Sequence, residues 1–100
     1  MSEIAKPFYL RCLGMQAYLE GDYSTAKEKL ELALDLAVKA PRRPYRDGHM
    51  AVTRAYLACV SARLRDFSAA RKYLAQAKEY LVATNEADLL AECEHEIPPA

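Results

Sequence analysis

The stretch Gly21-Asp22-Tyr23-Ser24-Thr25-Ala26 comes back 44 residues later as Arg65-Asp66-Phe67-Ser68-Ala69-Ala70. Around it, Leu13, Leu30, Ala33 and Val38 return as Leu57, Leu74, Ala77 and Val82. The matches fall on small and apolar positions three and four residues apart, the period of a helix that buries one face. A self-similarity of this length marks a repeated pair of helices. Gly21 supplies a turn between the two, because glycine takes positive φ without steric cost, and Asp22 and Asp66 are suited to cap the helix that follows each turn.

Working outward, a first helix is predicted from Ile4 or Pro7 to Glu20, and a second, capped by Asp22, runs to Pro41. A third begins with Asp47 as cap and reaches about Arg65, and a fourth, capped by Asp66, ends near Ala83. A fifth opens at Thr84 or Asn85 and stops before Pro98. The expected architecture is all-α and a single domain over residues 1–100. Hairpins at about 4–40 and 47–83 flank a basic, proline-rich loop at 41–46, and a capping helix covers about 84–97. Gly14 and Ala58 in the first helices, and Ala26 and Ala70 in the second, let the two helices of a hairpin approach closely.

Composition agrees with one small globular domain: 52% of residues are hydrophobic and 28% charged, glycine is scarce and nothing alternates like a strand. No apolar run nears the roughly 18 residues of a membrane span, and the first residues lack a signal-peptide core, so an intracellular, cytoplasmic protein is expected. Cys12, Cys59 and Cys93 are odd in number and far apart, with no Cys-x-x-Cys spacing. Neither a disulfide framework nor a zinc site follows from them. Net charge is zero but unevenly spread: −2 over residues 1–38, +8 over 39–78 and −6 over 79–100. An acidic tail folding back on a basic middle, within one chain or between two, accounts for that asymmetry.

The repeated unit resembles the tetratricopeptide repeat. The first copy carries Leu13, Gly14, Gly21, Asp22, Tyr23, Ala26, Leu30 and Ala33, and the second Leu57, Ala58, Asp66, Phe67, Ala70, Leu74 and Ala77. Repeats of that family are usually about 34 residues long. The longer spacing here is similar to the subgroup found in kinesin light chains. Leu10 and Arg54 stand where a tryptophan is usual, the proline after the second helix lies late at Pro41, and Gly21 becomes Arg65 in the second unit. The resemblance implies an α-α superhelix whose first helices line a concave groove. That groove would offer Phe8, Arg11, Met15, Tyr18 and Leu19, then Val52, Ala55, Cys59 and Arg63. The subgroup that grips the C-terminal carboxylate of heat-shock chaperones needs asparagines, and Cys12, Met15 and Cys59 stand in their places. What the resemblance implies is a scaffold that binds a peptide or helix of a partner protein. With two and a half repeats, below the three a stable stack needs, a second copy is the first expected partner and the state a homodimer.

Catalytic constellations are sparse. His49 beside Asp47 reads as a surface residue near a helix start, and Cys93 and His95, two apart on a helix, point to different faces. No glycine-rich phosphate loop occurs, and no enzyme activity, metal or cofactor is expected. The loop residues Arg42, Arg43, Tyr45 and Arg46 pair guanidinium groups with an aromatic ring, which suits phosphates or stacked bases. Nucleic-acid or phosphate binding there is the alternative to protein binding.

Overall fold

The same joint is built three times in this chain, and it sets the path of the helices. The computed structural model describes residues 2, 5–41 and 44–98. It contains α1 (Ala5–Leu19), α2 (Tyr23–Lys39), α3 (Arg46–Arg63), α4 (Phe67–Ala83) and α5 (Ala87–Glu96), with no strand among the described residues. At the end of α1 the amide of Asp22 donates to the Ala17 carbonyl at 2.9 Å, and that of Gly21 to Tyr18 at 3.1 Å. At the end of α3, Asp66 donates to Ser61 at 2.8 Å and Arg65 to Ala62 at 3.0 Å; after α4, Glu86 donates to Leu81 at 2.8 Å and Asn85 to Val82 at 3.2 Å. Each joint turns on one left-handed residue: Gly21 at φ 83°, Arg65 at 68° and Asn85 at 61°. These crossed bonds satisfy carbonyls that a helix end leaves without partners.

Two of the joints also start the next helix. Asp22 accepts from the Thr25 amide and Asp66 from the Ala69 amide, each at 3.2 Å, which satisfies one free N–H of the new helix. The third does not. Asn85 serves as the left-handed hinge rather than as a cap, and Glu86 stands at the N-cap of α5 without a side-chain bond. The helix therefore opens at Ala87 instead of at Thr84 or Asn85. Asp47 is likewise displaced from its expected role: α3 begins at Arg46, so Asp47 lies in its first turn and Tyr45 occupies the cap.

Each hairpin packs through small residues. Ala26, Leu30 and Ala33 of α2 are fully buried, as are Ala70 and Ala77 of α4. Burial of a leucine side chain such as Leu30 contributes roughly 1.5–3 kcal/mol. α3 is the central helix and packs against the other four. Its small and apolar residues, among them Ala55, Leu57, Ala58, Cys59 and Val60, are buried around most of its circumference, as a helix without a polar face requires. Contacts along α1, α3 and α5 keep sequence order: Phe8 meets His49 and Tyr18 meets Tyr56, while Ala55 meets Cys93 and Arg63 meets Glu96. These three helices run parallel, and α2 and α4 return between them.

The tail meets the basic middle of the same chain at two places. Arg63 pairs with Glu96 at 2.6 Å, and the Arg71 guanidinium donates to the Pro98 carbonyl at 3.2 Å. No helix among the described residues is long and apolar enough to cross a membrane.

Candidate functional site

On α1, Phe8, Arg11, Met15 and Tyr18 follow one another at three- and four-residue spacing and so share a face. On α3, Val52, Tyr56, Cys59 and Arg63 do the same. The structure brings the two rows together and divides the resulting inner face in half. At the end nearest the start of α1, Phe8, Arg11, Met15, Val52 and Tyr56 are all half-buried. The Phe8 ring lies 4.4 Å from His49 and 5.5 Å from Tyr45, centre to centre, and the Arg11 guanidinium sits 5.4 Å from the Phe8 centroid. A guanidinium over a ring face is held by the quadrupole of the aromatic. Arg11 Nε is buried and makes no hydrogen bond among the described residues.

The other half is occupied. Ala55 and Cys59 are fully buried beneath α5 and offer no surface, which corrects their placement on an open groove. Tyr18 is also buried; its hydroxyl donates to Glu92 Oε1 at 3.4 Å, and its ring meets Tyr23 at 5.9 Å and Tyr56 at 6.1 Å. Arg63 is engaged by Glu96 and lies 5.9 Å from the Tyr23 centroid. Leu19 is 80% exposed at the end of α1. The last helix thus covers Ala55 and Cys59, whereas Phe8, Arg11, Met15 and Val52 keep part of their surface exposed.

Burial sets the electrostatics. It pushes the Tyr18 hydroxyl well above its ordinary range, and does the same to Tyr56, which also feels Glu92. His49, expected at the surface, is only 4% exposed. Burial, and after it the charge of Arg11, lowers its pKa to about 4, and neither ring nitrogen has a hydrogen-bond partner among the described residues. The imidazole is neutral at pH 7 and packs as a ring against Phe8.

Of the basic loop, Arg42 and Arg43 lie outside the described residues. Arg46 donates through Nη2 to the Val38 carbonyl at 2.9 Å, closing the loop onto the end of α2, and Tyr45 packs on Phe8 while remaining 45% exposed. These two side chains tie the start of α3 to the end of α2 and to α1. Cys93 and His95 do not meet: Cys93 is buried against Cys59 whereas His95 is exposed. No group of three His, Cys, Asp or Glu side chains among the described residues is placed to hold a metal ion.

Three residues of this region escape the sequence. Tyr56 lies four residues beyond Val52, so helical spacing could have found it; Glu92 reads as tail charge and His49 as surface polarity. A fourth feature, the Cys59–Cys93 contact, joins positions 34 residues apart. Its only signal is that Cys93 shares the apolar stripe of Leu89 and Leu90. Comparison of the chain with protein-family models, with curated proteins and with solved structures gives no significant match.

Proposed function

We propose that the chain is a non-catalytic protein-interaction module of tetratricopeptide-like character, working in the cytoplasm, that docks a helix or peptide on the open half of its inner face. The observation that supports this most directly is the strip of Phe8, Arg11, Met15, Val52 and Tyr56, half-buried on two parallel helices with Arg11 Nε lacking an intramolecular acceptor. Apolar side chains that one helix can cover, with one buried donor left to fix orientation, suit a peptide or helix docked in a groove. An arginine or aromatic at the centre of such a strip supplies most of the binding energy. The repeated joint and the parallel order of α1, α3 and α5 support the family reading. A second copy of the chain is the first partner to test, and the strongly exposed Leu19 and Val82 are candidate contacts for it.

The experiment compares the wild-type chain with a Met15→Glu, Val52→Glu variant. Light scattering measures self-association, and capture from the source cell followed by quantitative mass spectrometry measures other partners. A bound protein, or a dimer, weakened at least about tenfold by the variant, or 1.4 kcal/mol, supports the reading. Equal binding by the two proteins, with helicity unchanged, rules out this face.

A further inference from the structure

We propose that Cys59 and Cys93 form a modification site: a buried dithiol that oxidises to an intramolecular disulfide and fastens α5 to α3. Their Sγ atoms are 3.4 Å apart, with the Cys59 thiol donating to Cys93 and the Cys93 thiol donating in turn to the Ala55 carbonyl at 3.2 Å. Both side chains are fully buried, whereas Cys12, the remaining cysteine, is exposed on α1. A disulfide needs the sulfurs at about 2.05 Å. The approach still required is of the order of 1.4 Å, within reach of side-chain rotation and a slight shift of one helix. The contact of Cys93 with the backbone of Ala55, one turn before Cys59 on the same helix, shows that α5 already lies close along α3.

In the closed fold an oxidant has no access. The hydrogen bond to Cys93, and after it burial, hold the Cys59 thiol well above its ordinary pKa, so little thiolate is present. Access comes through α5. It is ten residues long, has no side-chain N-cap bond, and is held by an apolar stripe of Leu89, Leu90, Cys93 and the adjoining Ile97 together with the contacts of Glu92 with Tyr18 and of Glu96 with Arg63. A short uncapped helix at the edge of a fold opens at lower cost than the core does. In the open state Cys93 ionises and its thiolate attacks a low-molecular-weight disulfide, RSSR. The S–S bond of the reagent breaks, a mixed disulfide forms on Cys93, and RS⁻ leaves and takes up a proton from water. While α5 is still displaced, Cys59 is open to solvent and loses its proton to water, and its thiolate attacks the Cys93 sulfur and expels the second RS⁻, which is protonated in the same way; α5 then closes over the new disulfide. In sum the protein loses two hydrogens, the reagent gains them as two RSH, and one S–S bond replaces another. The result does not depend on what the inner face binds.

The test uses the full chain carrying Cys12→Ser, treated with oxidised glutathione under native conditions. A mass loss of about two units, as expected for closing one disulfide, with a Cys59–Cys93 linked peptide on non-reducing digestion, is the expected result. The melting temperature should rise by about 5 °C or more and fall back with dithiothreitol. Adding Cys93→Ser should abolish the link and the shift; if that variant does not fold, peptide mapping of the Cys12→Ser protein decides alone. Stable glutathione adducts without closure, no reaction of the native protein where the urea-unfolded chain reacts, or closure that lowers the melting temperature would each overturn the proposal.

Discussion

Leu30 fills the space that a side chain on Gly14 would need: a β-carbon there would stand 2.6 Å from Leu30 Cγ and 3.3 Å from the Ala26 carbonyl oxygen. Leu30 is fully buried and cannot swing aside. The glycine is thus what allows α1 and α2 to close on each other, and the first hairpin depends on it.

Gly14→Ala sets two effects against each other. Alanine gains about 1 kcal/mol of helix propensity over glycine. Forcing a methyl group into a close-packed contact costs roughly 1–3 kcal/mol. Packing wins, and a net loss of about 1 kcal/mol is expected in urea unfolding followed by circular dichroism. A gain in midpoint would mean that α1 and α2 are farther apart than the structure places them.

The three joints differ in their left-handed residue, and that difference is measurable. A left-handed residue other than glycine costs roughly 1–2 kcal/mol, partly offset in glycine by the entropy it loses on folding. Arg65→Gly should therefore stabilise the chain by about 0.5–1 kcal/mol. Gly21→Ala should destabilise it by about 1 kcal/mol, and since nothing lies within 4 Å of a β-carbon at Gly21, the loss is one of backbone conformation. Thermal melts of the two variants should move in opposite directions.

These joints explain why so much of the fold is legible in the sequence. A turn of this kind is local: glycine, aspartate and the apolar residues on either side specify it without help from distant segments. Asn85 shows the limit, because asparagine suits both a helix cap and a left-handed hinge, and only the crossed bonds from Asn85 and Glu86 to Val82 and Leu81 decide between them. The site is less legible because it depends on which helix covers which face. Ala55 and Cys59 have the spacing of groove residues, but α5 lies over them. His49 has the polarity of a surface residue, but its ring meets Phe8, far away in sequence. Pattern gives the face of a helix, whereas coverage is a property of the whole chain.

Arg46 belongs to the loop whose charge invites a phosphate, yet its guanidinium is committed to the Val38 carbonyl. A hydrogen bond of this kind contributes about 0.5–1.5 kcal/mol net. Arg46→Ala should lower stability by that amount with no ligand present, and the loss should be about the same at low and high salt, since one partner is a neutral carbonyl. A loss that disappears in salt would point instead to charge repulsion or ion pairing within the loop.

His49 makes stability depend on acidity. Its pKa falls from 6.5 in the unfolded chain to about 4 in the fold, through burial first and Arg11 second. The unfolded state therefore takes up the proton first as pH drops. The contribution of His49 is complete above about pH 6.5 and is lost progressively as pH falls toward 4, so stability rises with pH across that window. Discounted for solvent screening at this edge of the molecule, the loss is about 1–2 kcal/mol. His49→Phe keeps a ring against Phe8 and removes the titration. Urea unfolding at pH 7 and at pH 4.5 should show a smaller difference for that variant than for the wild type, and an equal difference in the two would mean that His49 is not buried as a neutral ring.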